Sequence, residues 1–218
     1  MIQAALFDQD GLLFDTEKLW QQAWKPALAD FGLTQKEGLA QDCCGTAGEQ
    51  SYTVIRRYYG NEVPAQQIRD RLSYHARILI WNNVSKKPGA DELLEYLRQQ
   101  GVLCAVATSS DRELTHHNLE ATGLSRYFDA VITADQVTKA KPDPEIFLTA
   151  AAHVGAQPAQ TLVLEDSFSG VRAGVAGGFI TVMVPDLSEP TAEIAQLAYA
   201  VCPSLYAVKT KLVKGELG

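Results

Sequence analysis

Apolar residues along the chain collect into short runs bounded by turn or polar residues: IQAALF (2–7), VLCAVAT (102–108), DAVIT (129–133), TLVLE (161–165) and FITVMV (179–184). None alternates strictly with polar positions, which suits strands covered on both faces, as in a parallel sheet. Between the runs the apolar spacing becomes helical. Leu93, Leu94 and Leu97 share one face of 89–101, which stops at Gly101. Leu114, Asn118 and Leu119 do the same in 111–123, with Ser110 placed to cap that helix. A third helix is expected from 143, after Pro142, to Gly155, and a fourth over 167–178, capped by Ser167. Strands alternating with helices predict βαβ units and an α/β, Rossmann-like, doubly wound parallel sheet.

Residues 16–82 interrupt that alternation. Helical spacing appears around Leu19, Ala23, Trp24 and Ala27, then around Tyr52, Ile55 and Tyr58, then around Ile68, Leu72 and Ile78. No strand pattern is visible there, and Pro26 is expected to kink or break the first helix. The chain therefore reads as an α/β core of residues 1–15 and 83–218 carrying a small α-helical cap domain, 16–82. Hinges are expected near 15–17 and 82–88.

Composition narrows the partners. With 46% hydrophobic and 21% charged residues in 218, the chain can bury a sizeable core. A net charge of −7 and a pI near 5.1 argue against nucleic acid and against an anionic membrane surface. The start, MIQAALFDQD, lacks a basic region before an apolar stretch, and no run approaches the roughly 18 apolar residues of a membrane span. The cysteines, Cys43, Cys44, Cys104 and Cys202, show no CxxC spacing and read as free thiols. A cytoplasmic monomer is the expectation.

The chemistry collects at the predicted carboxyl ends of the strands, where open α/β sheets bind ligands. The first strand ends in Asp8-Gln9-Asp10-Gly11 and the second in Thr108-Ser109-Ser110. Lys141-Pro142 opens a helix, and the fourth strand ends in Glu165-Asp166. Converging carboxylates raise one another's pKa unless a cation sits among them. Hard oxygen donors favour Mg²⁺, and hydroxyls with backbone N–H groups at a helix start suit a phosphate. The ligand implied is a small phosphorylated metabolite bound with magnesium.

Taken together, FDQDGLLFDTE, ATSS, KPDPEIF and LEDSFSG resemble the four motifs of the haloacid dehalogenase-like hydrolase superfamily. They are most similar to its small-helical-cap subgroup, which contains β-phosphoglucomutase and many sugar-phosphate phosphatases. The resemblance implies a nucleophilic role for Asp8, through an aspartyl-phosphate. It makes Asp10 the general acid and then base. Asp8, the Asp10 backbone carbonyl and Asp166 would hold Mg²⁺ with Glu165 alongside, while Thr108, the Ser109 backbone N–H and Lys141 would orient the phosphoryl oxygens.

Asp10 separates this chain from the superfamily's dehalogenase and phosphonate-cleaving branches, which lack the second aspartate. The resemblance therefore implies a phosphate-ester substrate. The mutase's cap supplies an Arg where this chain has Gly48, and a His where it has Trp20. A phosphatase is accordingly preferred, with a β-phosphoglucomutase-type phosphomutase as the alternative and a non-catalytic binding module as a third reading. The stretch CCGTAGEQ (43–50) is a candidate cap loop facing the active site. Trp20 and Trp24 are expected in the cap core, and the histidines lack metal-site spacing. Gln9 is expected to point away from the chemistry.

Overall fold

The computed structural model describes residues 2–44, 46 and 48–217. The chain divides into two compact units, one running up to Asp15 and again from Ser85 onward, the other spanning Thr16–Val84.

In the first unit, six strands among the described residues form one all-parallel sheet in the order β3-β2-β1-β4-β5-β6. They are β1 (Ala4–Phe7), β2 (Leu103–Ala107), β3 (Ala130–Ile132), β4 (Thr161–Glu165), β5 (Ile180–Met183) and β6 (Ala200–Val201). This is the Rossmann-like arrangement that the run-and-helix pattern predicts. All four β1 residues are fully buried, so AALF reads as an unbroken apolar run because both sheet faces are covered. Strand β1 pairs with β2 on one side and β4 on the other, Phe7 lying level with Val106 and Leu164. Strand order reverses there, which opens a crevice beyond the ends of β1 and β4.

The helices of this unit are α5 (Ala90–Gln99), α6 (Arg112–Ala121), α7 (Glu145–His153), α8 (Phe168–Ala176), α9 (Ala192–Leu197) and α10 (Leu205–Val213). Ile146, Phe147 and Ala150 of α7, with Ala173 of α8, pack on Leu6, Ala105, Ala107 and Val163 to seal one face. Helix α5 packs against β2 and α10. Helix α6 is capped by Asp111, whose carboxylate accepts from Leu114 N, and not by Ser110 as its sequence position suggested. An Asp after two hydroxyl residues sits one position nearer the first turn, which releases Ser110 for another partner.

The second unit contains α1 (Glu17–Ala29), α2 (Leu39–Cys43), α3 (Gly48–Tyr59) and α4 (Ala65–Asn83). Ala23, Trp24, Ala27 and Leu28 of α1 meet Ile68, Leu72 and Ala76 of α4, with Leu39 and Ile55 closing the cluster. Trp24 is buried and Trp20 packs on the rim. Pro26 lies inside α1 without breaking it, and its carbonyl still accepts from Asp30 N. Burial of Ala27 and Leu28 beyond the proline outweighs its missing N–H. Two residues of the 43–50 stretch, Gly45 and Ala47, lie outside the described residues.

The chain leaves and re-enters the first unit through paired segments. Asp15 N donates to Ser85 O at 3.0 Å and Lys87 N to Leu13 O at 2.8 Å. The described cysteines are free, and no described helix is long and apolar enough to cross a membrane.

Candidate active site

The loop after β1 keeps close to the sheet. Asp8 N donates to Leu164 O at 3.0 Å, continuing the pairing with β4 and fixing the Asp8 side chain at the crevice. The backbone then turns at Gly11, whose φ of +83° belongs to the left-handed region that glycine adopts without penalty. A Cβ there would stand 2.3 Å from Asp166 Oδ2. Glycine at this position thus lets the carboxylate after β4 approach the loop after β1.

Lys141 is the centre of charge. Its side chain is 5% exposed, and Nζ donates to Asp8 Oδ1 at 2.6 Å, Glu165 Oε1 at 2.6 Å and Ala107 O at 3.1 Å. Those contacts use all three ammonium hydrogens. Glu165 is fully buried, and its Oε2 accepts from Ser167 N at 3.0 Å and Ser167 Oγ at 2.9 Å. Both Glu165 oxygens therefore already accept hydrogen bonds within the fold. The group sits so tightly at the start of α8 that a Cβ on Gly170 would be 1.8 Å from its Cδ.

Burial pushes the Asp8 carboxyl up to about 7, helped by the nearby Glu165 and Asp10 charges and opposed by Lys141. Burial alone would pull the Lys141 ammonium down, but Asp8 and Glu165 hold it above the ordinary lysine value. One lysine against this many carboxylates leaves the site short of positive charge. Oxygens of Asp8, Glu165 and Asp166 lie within 4.8 Å of one another, a hard-donor cluster that fits a divalent cation.

Asp10 is held from two sides. Ser110 Oγ donates to Asp10 Oδ2 at 2.5 Å and Gln9 Nε2 to the same oxygen at 3.2 Å. Gln9 therefore does not turn away from the chemistry. It is fully buried, with Oε1 accepting nothing from a described residue, and its amide reaches the neighbouring carboxylate instead. Thr108 is buried, its Oγ1 accepting from Ser110 N at 3.1 Å, whereas Ser109 is exposed. Ser109 and Lys141 line a cleft of about 200 Å³ with Thr138, Lys139 and Ile146. Lys139 is largely exposed and pairs with Asp143 at 3.4 Å.

The arrangement joins a buried carboxylate, a locked lysine and a second, tethered carboxylate at the carboxyl ends of parallel strands. Residues 5–184 match the haloacid dehalogenase-like hydrolase family. The chain belongs to this family. Among its relatives, hexitol phosphatase B of Escherichia coli is 30% identical over 188 residues, covering 84% of each chain. A phosphorylated carbohydrates phosphatase of Thermotoga maritima is 28% identical over 177 residues, 81% of this chain and 82% of that one. A crystal structure of a family hydrolase from Deinococcus radiodurans, with bound phosphate and sodium, superimposes with a TM-score of 0.81. It is 28% identical and covers 99% of this chain and 97% of its own.

Two residues near this haloacid dehalogenase-like site carried no signal in the motifs. Lys87 Nζ donates to Asp186 Oδ1 at 2.5 Å and stands 3.8 Å from Asp15 Oδ1. The Asp15 backbone N–H pairs with Ser85 O at 3.0 Å. Asp186 follows the apolar run of β5, so the strand-end rule that selects Asp8 and Asp166 would also have selected it.

Proposed function

We propose that the chain is a Mg²⁺-dependent phosphatase of small phosphate monoesters, such as sugar phosphates, working through an aspartyl-phosphate on Asp8. The observation that carries this reading is the pairing of the buried Asp8 with Lys141 beside the separately tethered Asp10. The relatives named as phosphatases of phosphorylated carbohydrates and hexitols support the substrate class.

In this reading an Asp8 oxygen attacks phosphorus and forms the acyl phosphate O–P bond as the ester P–O bond breaks. The leaving alkoxide takes a proton from the Asp10 carboxyl, and in the second step Asp10 accepts one from the attacking water. Phosphate is released and Asp8 regenerated. Lys141 keeps Asp8 aimed and adds positive charge beside the phosphoryl oxygens, anchored in turn by Glu165. Thr108 and the Ser109 backbone N–H bind those oxygens. Asp8, Asp166 and the Asp10 carbonyl would hold Mg²⁺, with Glu165 alongside. When bound, the ion neutralises charge that builds on the transferring group. The helical unit Thr16–Val84 serves as the cap that selects the substrate and excludes water.

One observation favours the phosphomutase alternative. Arg69 of α4 lies over the Trp20 ring at 5.1 Å, and burial pulls its guanidinium below the usual value. It makes no hydrogen bond or ion pair with a described residue, which leaves the cap a cation for a second phosphate. The deciding experiment is turnover of β-glucose 1-phosphate with a trace of its bisphosphate, alongside p-nitrophenyl phosphate with and without Mg²⁺. The phosphatase reading expects free phosphate from both substrates and silence after EDTA. Glucose 6-phosphate without free phosphate would reverse the ranking, and no hydrolysis by folded protein would leave a binding module.

A further inference from the structure

A buried carboxylate outside the family motifs faces the same loop as the metal-binding candidates. Asp186 follows β5, and its side chain is 8% exposed. Lys87 takes Oδ1 at 2.5 Å, while the buried Oδ2 accepts no hydrogen bond from any described residue. That oxygen lies 3.4 Å from the position of a Gly11 Cβ, the same point that stands 2.3 Å from Asp166 Oδ2. Asp166 and Asp186 thus flank one α-carbon, in the residue directly after Asp10.

An ion pair alone does not account for this geometry. A carboxylate that serves only as a counter-ion turns its second oxygen to solvent, where it is hydrated. Burying an ionised oxygen without a donor is unfavourable, and native proteins nearly always supply one. Mg²⁺ dehydrates reluctantly and keeps several waters, which are strong donors directed away from the ion. Outer carboxylates that accept from such ligands commonly set metal affinity.

We propose that Asp186 is a positioning residue of the metal site, its Oδ2 accepting a hydrogen bond from a water of the bound cation while Lys87 fixes the carboxylate's orientation. The inference rests on the reading of Asp8 and Asp166 as ligands of a divalent cation. Lys87 is itself held at its backbone N–H by Leu13 O, so the ammonium that orients Asp186 is anchored to the paired connecting segments.

The test is binding of Mn²⁺ alone to metal-free protein, followed by loss of the free-ion EPR signal. High ionic strength screens the long-range part of any charge change. Asp186→Asn should weaken Mn²⁺ by about tenfold or more, the range typical of lost outer partners. Its metal-free melting temperature should stay near that of the wild type. Lys87→Gln, which leaves the carboxylate in place, should weaken Mn²⁺ far less, and Lys87→Arg should bind as the wild type does. Wild-type affinity in Asp186→Asn would overturn the proposal, as would equal losses in Asp186→Asn and Lys87→Arg. Failure of the wild-type protein itself to bind Mn²⁺ would overturn the metal reading beneath it.

Discussion

Burial of Asp8 ties the stability of the fold to pH. Its folded-state pKa near 7 exceeds the ordinary 3.8 because burial disfavours the charge. The stability this group contributes is therefore fully present below the ordinary value and is lost as pH rises through about 7. Asp8→Asn keeps an uncharged group in place. Metal-free Asp8→Asn should melt several degrees above the metal-free wild type near pH 8, and the gap should close towards pH 4. A melting temperature below wild type at both pH values would mean that Lys141 stabilises the charged form. Ser110 and Gln9 act on Asp10. On the proposed general-acid role of Asp10, Ser110→Ala should lower kcat by roughly tenfold, with little change in KM. Gln9→Met removes a buried orphan oxygen, so it should hold or raise the melting temperature while lowering kcat severalfold. Equal kcat in wild type and Gln9→Met would show that the Gln9 amide does not orient Asp10. The strand-end residues were legible because apolar runs ending in Asp, Thr-Ser or Glu-Asp are local signals. Ser110 bonding to Asp10 and Lys87 to Asp186 join residues 100 and 99 positions apart, and no local period encodes such pairs.

At the scale of elements, helix α8 can lie over the buried Glu165 because its first turn carries a glycine. Gly170 lies against the Glu165 carboxyl group, where a Cβ would be 1.8 Å away. Gly170→Ala must displace Glu165 and with it the Lys141 anchor. A melting temperature lower by about 5 °C or more is expected, at the upper end of overpacking effects, together with lost turnover. Unchanged melting and turnover would contradict the packing of Glu165 under α8. Five strands were readable from apolar runs, but β6 was not, since the two residues Ala200–Val201 carry no periodicity. Pro26 misled for the opposite reason. Its local preference for breaking a helix was real, and packing of α1 on α4 overrode it.

The whole molecule carries a net charge of −7, so long-range attraction does not bring a phosphate to it. In the reading proposed above, the attraction is local, from Lys141 beside the carboxylate cluster of Asp8, Glu165 and Asp166. The alternation of runs and helices made the sheet and the helical insertion legible. The substrate was not, because recognition depends on side-chain placement that apolar periodicity does not encode. Sugar phosphates, polyol phosphates, glycolate phosphate and nucleotides form the natural screen. The central claim is covalent: the phosphoryl group passes through Asp8. Acid-quenching the enzyme during turnover and mapping its peptides by mass spectrometry tests that claim directly. One phosphoryl group should be found on the peptide containing Asp8 in the wild type and none in Asp8→Asn, which should also have lost turnover. Sustained turnover by Asp8→Asn, or an adduct on a different residue, would contradict the account.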